Sequence, residues 1–123
     1  MRIISSVKVL LLLWAVDDAS EGTQEDLDAW VAYDSDLRAA GVLLEGGALQ
    51  PLAENGLIVP RLAESRPDAG EGEPPVSGAW KPNGFYLLDC EDITAAHEWA
   101  RRAPTYGRVE VRPMFDFDLG RND

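Results

Sequence analysis

Apolar residues near the start of the chain follow first a strand pattern and then a helix pattern. The run from Lys8 to Val16 is apolar at nearly every position, which predicts a strand buried on both faces and central in its sheet. A helix is predicted from Thr23 to about Ala40, because Thr23 and Asp26 have capping-box spacing and Gly41 suits the residue after the last turn. We expect this helix to bury an apolar stripe bordered by Tyr33 and made of Leu27, Trp30, Val31 and Leu37.

The middle of the chain predicts short strands separated by irregular segments. Residues 42–52 contain two adjacent glycines and a proline, which indicates a short strand with a bend or bulge. Residues 57–59 predict another short strand. Residues 64–75 predict a mobile loop, which could act as a lid, because they offer little apolar surface to bury. Residues 76–80 predict a hairpin arm that turns at residues 82–84.

The last part of the chain predicts a strand, a helix and a final strand. Residues 85–90 and 108–117 have the apolar content expected of strands. Between them Asp92 is expected to cap a helix over residues 93–103, which Pro104 stops. The expected buried face of this helix consists of Ile93, Ala96, Trp99, Ala100 and Ala103.

The order of these elements predicts an α+β fold of the ferredoxin-like, split βαβ kind, with two helices on one face of an antiparallel sheet. The length of 123 residues fits a single domain over residues 1–123. Residues 1–7 are expected to be an N-terminal extension and residues 119–123 a frayed tail. Because the second face of such a sheet is also apolar, we expect it to be covered by a second subunit in a homodimer.

The charge of the chain excludes some partners. It carries 22 acidic and 11 basic residues, a formal net charge of -11, which disfavours binding to nucleic acid and to anionic membranes. The apolar run ending at Val16 has the length of a signal-peptide core, but acidic residues follow it at once and it is too short to span a bilayer. Cys90 is the only cysteine, so no intrachain disulfide can form. These features predict a cytoplasmic protein.

Four runs of sequence, in this order along the chain, resemble the YCII-related family and in particular its DGPF branch: Leu37–Leu43, Gly84–Asp89, Glu98–Pro104 and Val109–Pro113. The resemblance extends from about Lys8 to Phe117. It implies a ferredoxin-like fold, homodimers packed sheet to sheet as a dimeric α/β barrel, and a cleft beside the interface. Most members of the family have no assigned activity, although a few act as small-molecule lyases or related enzymes.

The chain departs from the family at the motif that names the DGPF branch. Residues 77–83 read Ser-Gly-Ala-Trp-Lys-Pro-Asn where Asp-Gly-Pro-Phe and an acidic turn are expected. The motif aspartate has no counterpart, so no role of that aspartate can be transferred to this chain. The change suggests a specialised member with a reshaped pocket.

Two polar residues stand at predicted apolar positions of the helices. His97, the only histidine, lies at the edge of the second helix's stripe, and Asp34 lies inside the stripe of the first. His97 is either a partly buried, hydrogen-bonded residue or a general acid/base, since its reference pKa of roughly 6.5 suits proton transfer near neutrality. Because the two helices lie side by side, Asp34 could orient His97; alternatively Asp34 lies in water.

The last strand supplies two charges on one face. Glu110 and Arg112 alternate with Val109 and Val111, so both charges are expected to point away from the helices, into the subunit interface or cleft. They form either an ion pair or a site in which Arg112 binds a carboxylate or enolate.

Aromatic residues are numerous for a domain of this size. Trp14 at a strand end and Trp80 in the altered motif could line a pocket for a ring-bearing ligand, or Trp80 could anchor the interface. Tyr86, on the following strand, could donate a proton to a substrate or merely pack. Trp30 and Trp99 are expected in the core.

Two functions remain open on the sequence. One is a cofactor-free enzyme of small-molecule metabolism that uses acid/base chemistry for elimination, isomerisation or cyclisation of an aromatic or polyketide-like substrate, with His97 and Asp34 catalytic. In it Arg112, Tyr86, Trp80, Trp14 and Glu110 would form the substrate site. The other is a non-catalytic homodimer that binds a metabolite or a protein, which loss of the motif aspartate favours. Neither function requires a cofactor, and acidic pairs lack metal-ligand spacing to His97.

Overall fold

The computed structural model describes residues 6–16, 22–50, 56–57, 59 and 80–115. The elements within these ranges are, in chain order, strand β1 (Val7–Val16), helix α1 (Gln24–Ala39), strand β2 (Leu43–Ala48), strand β3 (Trp80–Cys90), helix α2 (Ile93–Arg102) and strand β4 (Arg108–Pro113). The predictions for residues 1–5, 64–75, 76–79 and 116–123 lie outside the described residues.

The strands form one sheet in the order β2-β3-β1-β4, and each neighbouring pair is antiparallel. The central position of β1 confirms the strand that its continuous apolar run predicts. Val9 and Leu11 of β1 are completely buried, and they belong to one core with Leu37 of α1 and Ala96 of α2. Both helices therefore cover the same face, which confirms the α+β ferredoxin-like fold.

Helix α1 begins and ends as its sequence predicts. The Thr23 hydroxyl accepts a hydrogen bond from the backbone N–H of Asp26 at 3.1 Å, and the Asp26 carboxylate accepts one from the backbone N–H of Thr23 at 3.0 Å. These two bonds complete the capping box. Gly41 takes a φ of 74° just after the helix, a conformation that favours glycine because other residues would strain their Cβ.

The buried stripe of α1 differs from the predicted one. Leu37 is completely buried, but Leu27 and Val31 are 56% and 61% exposed. The helix instead turns Tyr33, which is 4% exposed, toward the core. This rotation is possible because the Tyr33 hydroxyl donates a hydrogen bond of 2.7 Å to the carbonyl of Trp99, so that its burial leaves no polar atom without a partner.

Strand β3 is longer than predicted and contains no hairpin turn. It runs without interruption from Trp80, so the turn predicted at residues 82–84 is wrong. Leu13 of β1 pairs with Gly84 and Trp14 pairs with Pro82, which leaves Asn83 as an extra residue in a β-bulge. A bulge accommodates proline in a strand, because proline has no N–H to donate to the ladder.

Smaller differences concern strand lengths and the second helix. The irregularity in β2 falls between Leu43 and Glu45, and β4 ends at Pro113. Leu57 and Val59 belong to no strand, so the strand predicted there is wrong for these two described residues. The cap of α2 is as predicted, since the Asp92 carboxylate accepts a hydrogen bond of 2.8 Å from the N–H of Ala95. Neither helix in the described ranges is long and apolar enough to cross a membrane.

The face of the sheet opposite the helices is called the open face here. Cross-strand pairs share a face, and Leu12 of β1 pairs with Phe85 on one side and Glu110 on the other. The side chains of β1 and β3 on this face are mostly apolar and only partly buried: Leu10, Leu12, Trp14, Val16, Trp80, Phe85 and Leu87.

We expect Leu37→Ala to lower the free energy of unfolding by about 2–5 kcal/mol, because it removes a completely buried side chain from the core. Leu27→Ala is the matched control and should cost less than about 1 kcal/mol, since Leu27 is already half exposed. Urea unfolding followed by circular dichroism measures both. Equal losses for the two variants would contradict the orientation of α1.

Candidate functional site

A cavity of about 1020 Å³ lies between the first half of α1 and one end of the sheet. The sheet contributes residues near the ends of β1 and β2 and the start of β3. Helix α1 covers them, and residues 104–107, which precede β4, close a third side. The cavity is therefore on the helix-covered face of the sheet.

Small residues make the floor of this cavity. A Cβ at Gly46 would lie 2.7 Å from Cδ1 of Tyr86, and a Cβ at Gly84 would lie 3.2 Å from the carbonyl oxygen of Gly47. Ala15 and Ala48 also lie in the floor on the helix-covered face, and Leu13, paired with Gly84, is its one large apolar side chain on β1. Beyond Leu13 and Tyr86 the end of the sheet carries only glycine and alanine on this face, and the space below α1 stays open for that reason.

Aromatic rings form one wall. The rings of Trp30 and Tyr86 both line the cavity, with centroids 6.2 Å apart and planes inclined by 20°. Tyr33 packs edge-on against both rings from the core side, at 5.8 Å from Trp30 and 5.5 Å from Tyr86. Trp30, expected in the core, is therefore a site residue that sequence reasoning missed. The sequence did contain a signal for this position, because helical spacing places Trp30 on the same side of α1 as Leu27 and Asp34, which also line the cavity.

Asp34 places a carboxylate beside these rings. Its side chain is 37% exposed and accepts an ion-paired hydrogen bond of 2.7 Å from Nε of Arg38. Burial, followed by the negative charge of Asp34, raises the pKa of Tyr86, so its hydroxyl stays protonated near neutral pH and can donate a hydrogen bond. No lysine, arginine or histidine occurs among the described residues that line the cavity.

The opposite end of the cavity carries a second carboxylate. The Tyr106 hydroxyl donates a hydrogen bond of 2.6 Å to Asp26, and this bond is the main cause of the lowered pKa of Asp26. It joins the segment before β4 to the first turn of α1. The same segment lies against β1, where a Cβ at Gly107 would come within 1.9 Å of the Trp14 carbonyl oxygen. This contact between distant segments had no signal in the sequence.

The structure does not pair Asp34 with His97. Asp34 lies on the cavity side of α1, whereas His97 is exposed on α2 and lines a shallow depression of about 420 Å³ with Val109 and Val111 of β4. The two helices are neighbours, as expected, but these side chains leave their helices toward different surfaces. The predicted acid/base pair is therefore absent.

The other predicted site residues lie together on the open face and not in the cavity. Trp14 donates a hydrogen bond of 2.9 Å from its indole nitrogen to Glu110, whose other carboxylate oxygen pairs with Arg112. The guanidinium of Arg108 lies over the ring of Trp80, 4.1 Å from its centroid. The Arg112 contact and then the Trp14 bond lower the pKa of Glu110, so the network holds a carboxylate at neutral pH.

Of the sequence candidates, the cavity thus contains Asp34 and Tyr86. Within the described part of the chain, no three histidine, cysteine, aspartate or glutamate residues are close enough to hold a metal ion.

Comparison with known proteins agrees with the fold. The sequence model of one family, described as the YCII-related domain, matches residues 7–118, which include nearly all of the described residues. A search of curated proteins finds no match to the chain.

We expect the stability of the protein to fall above about pH 10, because burial raises the pKa of Tyr33 well above its ordinary value of 10.0. The unfolded chain releases the Tyr33 proton near pH 10 while the folded chain retains it. The contribution of the buried, protonated Tyr33 to the free energy of unfolding is therefore complete below pH 10 and is lost as the pH rises. Tyr33→Phe should reduce this dependence by up to about 1.4 kcal/mol per pH unit. Urea unfolding between pH 9 and 12 measures the free energy of unfolding of the parent protein and the variant. An equal decrease with pH in both would contradict the raised pKa of Tyr33.

Proposed function

Because the chain belongs to the YCII-related family, whose domain model spans residues 7–118, we propose that it is a homodimeric domain that binds a small ring-bearing molecule between α1 and the sheet. One observation carries the proposal. The end of the sheet has glycine and alanine under the helix, and this leaves a cavity of about 1020 Å³ with two aromatic rings in its wall.

The composition of the cavity supports binding of a flat molecule. Sites for small organic molecules usually have volumes of roughly 300–1,000 Å³, mostly apolar walls and a few polar groups that orient the ligand. The floor that Gly46 and Gly84 keep bare offers a flat surface, and Trp30 and Tyr86 offer ring faces and edges for stacking. Polar groups stand at the two ends, with Asp34 at one and Asp26 with Tyr106 at the other.

Acid/base catalysis on the bound molecule stays a prediction. The cavity supports a version of this hypothesis with fewer residues, in which Asp34 would accept a proton and the Tyr86 hydroxyl would donate a hydrogen bond to a developing negative charge. His97 and Arg112 have no part in this form, because they lie on other surfaces. Binding is the function that the geometry supports best.

The homodimer is proposed from the open face. Leu10, Leu12, Phe85 and Leu87 leave an apolar strip there that the helices cannot cover. Burial of such a strip is favourable by about 25 cal/mol for each Å² removed from water. The Trp14–Glu110–Arg112 network lies beside the strip and can set the orientation of a second subunit, consistent with the sheet-to-sheet dimers that the family implies.

We expect a library of neutral one- and two-ring aromatic compounds to contain ligands that shift the backbone amide signals of Gly46, Gly84 and Gly107. The measurement is a nitrogen-15 NMR titration of the whole chain. Ala48→Leu should weaken binding of the best compound at least tenfold, because the added isobutyl group occupies the cavity. Ala32→Leu is the matched control on the exposed side of α1 and should leave the affinity unchanged. If no compound binds, or if Ala48→Leu has no effect, the cavity is not the site.

We expect sedimentation equilibrium to give a mass of twice the 13.5 kDa of one chain. Leu12→Lys places a charge at the centre of the open face and should yield monomers that keep their secondary structure. Val31→Lys, a similar change at an exposed position of α1, should leave the dimer intact. A monomeric parent protein, or a dimer that survives Leu12→Lys, would rule out the open face as the interface.

A further inference from the structure

The charged side chains that line the cavity are of one sign, although Arg38 pairs with one of them from outside the lining. Asp34 and Asp26 are the ionisable acids among its described lining residues, and those residues include no basic side chain. The net charge of -11 on the whole chain adds a negative background. A ligand with a carboxylate or phosphate would therefore meet repulsion, and a ligand with a positive charge would meet attraction.

The two carboxylates are not equally available to a ligand. Asp26 is already bound by the Tyr106 hydroxyl and by the backbone N–H of Thr23, and both bonds stabilise the start of α1. Asp34 is bound by Arg38 through a single oxygen, Oδ2, and the Arg38 side chain is 69% exposed. A solvent-exposed ion pair one helical turn apart stabilises a helix only slightly, so a ligand can compete with Arg38 or bind beside it.

Two rings accompany the Asp34 carboxylate. Trp30 lies one turn before Asp34 on α1, and Tyr86, whose ring stacks on that of Trp30, lines the same cavity as Asp34. Positive groups are attracted to the faces of tryptophan and tyrosine rings at distances up to about 6 Å, and more strongly where water is partly excluded. A carboxylate next to two such rings has the composition of a site for an organic ammonium group.

We propose that the ligand of the cavity is an arylalkylamine, a ring-bearing molecule with an alkylammonium group, whose protonated nitrogen binds Asp34 against the rings of Trp30 and Tyr86 while its own ring lies over the glycine floor. The inference rests on the proposed function, since it assigns the ligand class of the same cavity. Arg112 takes no part in the proposed site, because it pairs with Glu110 on the open face.

The experiment compares three probes that differ in one group, namely phenethylamine, 2-phenylethanol and phenylacetate. They are cationic, neutral and anionic at pH 7 and have nearly the same size and ring. Calorimetric titration of the full chain should give the highest affinity for phenethylamine, at least tenfold above that for phenylacetate, with 2-phenylethanol between them. Raising the salt concentration should reduce the difference.

Two variants locate the charge that makes the distinction. Asp34→Asn keeps the shape of the side chain but removes its charge, so the three affinities should come within about twofold of one another. Asp36→Asn is the matched control: it makes the same change of net charge on α1, but Asp36 pairs with Arg102 and does not line the cavity. It should preserve the preference for phenethylamine.

The outcomes separate this inference from the proposed function. If phenethylamine binds no more tightly than 2-phenylethanol, or if Asp36→Asn abolishes the preference as fully as Asp34→Asn, the amine assignment is wrong, although ring binding in the cavity still stands. If phenethylamine does not bind at all, the amine assignment is likewise wrong. The proposed function is then judged by the neutral compounds and Ala48→Leu, which do not involve Asp34.

Discussion

The structure depends on a central strand that has no polar face. Every residue of β1 from Val9 to Val16 is apolar, so both sides of the sheet must be covered for the strand to leave water. Helices α1 and α2 cover one side and bury Val9 and Leu11 completely. The other side retains partly exposed leucines, and a second subunit is the cover that we propose.

The same sheet is covered unevenly along its length. Near Val9 and Leu88 large side chains from both helices fill the space above the strands. Toward Gly46 and Gly84 the strands carry mostly glycine and alanine on that face, and α1 passes above them without filling the gap. The Tyr33 hydroxyl, bonded to the Trp99 carbonyl, joins the two helices at the boundary between these regions. The closed part of the fold thereby supports the aromatic wall of the open part.

Charge is distributed between two surfaces that serve different purposes in our proposal. The arginines of β4, Arg108 and Arg112, lie on the open face, where they contact Trp80 and Glu110. The cavity keeps carboxylates and aromatic rings. A chain with 22 acidic and 11 basic residues has few cations to place, and no described basic residue lines the cavity, which leaves the cavity attractive to positive ligands.

The sequence by itself determined the features that depend on neighbouring residues: the capping box at Thr23, the end of α1 at Gly41, the start of α2 at Asp92 and the burial of β1. It did not determine which side of α1 faces the core, because Leu27 and Val31 are as apolar as the residues that are buried. That choice required the carbonyl of Trp99, 66 positions away, to satisfy Tyr33. The bulge at Asn83 and the contact of Gly107 with Trp14 also join distant segments. Tertiary structure alone therefore decided that Asp34 meets Trp30 and Tyr86 in a cavity while His97 lies elsewhere, because side-chain direction follows from packing and register.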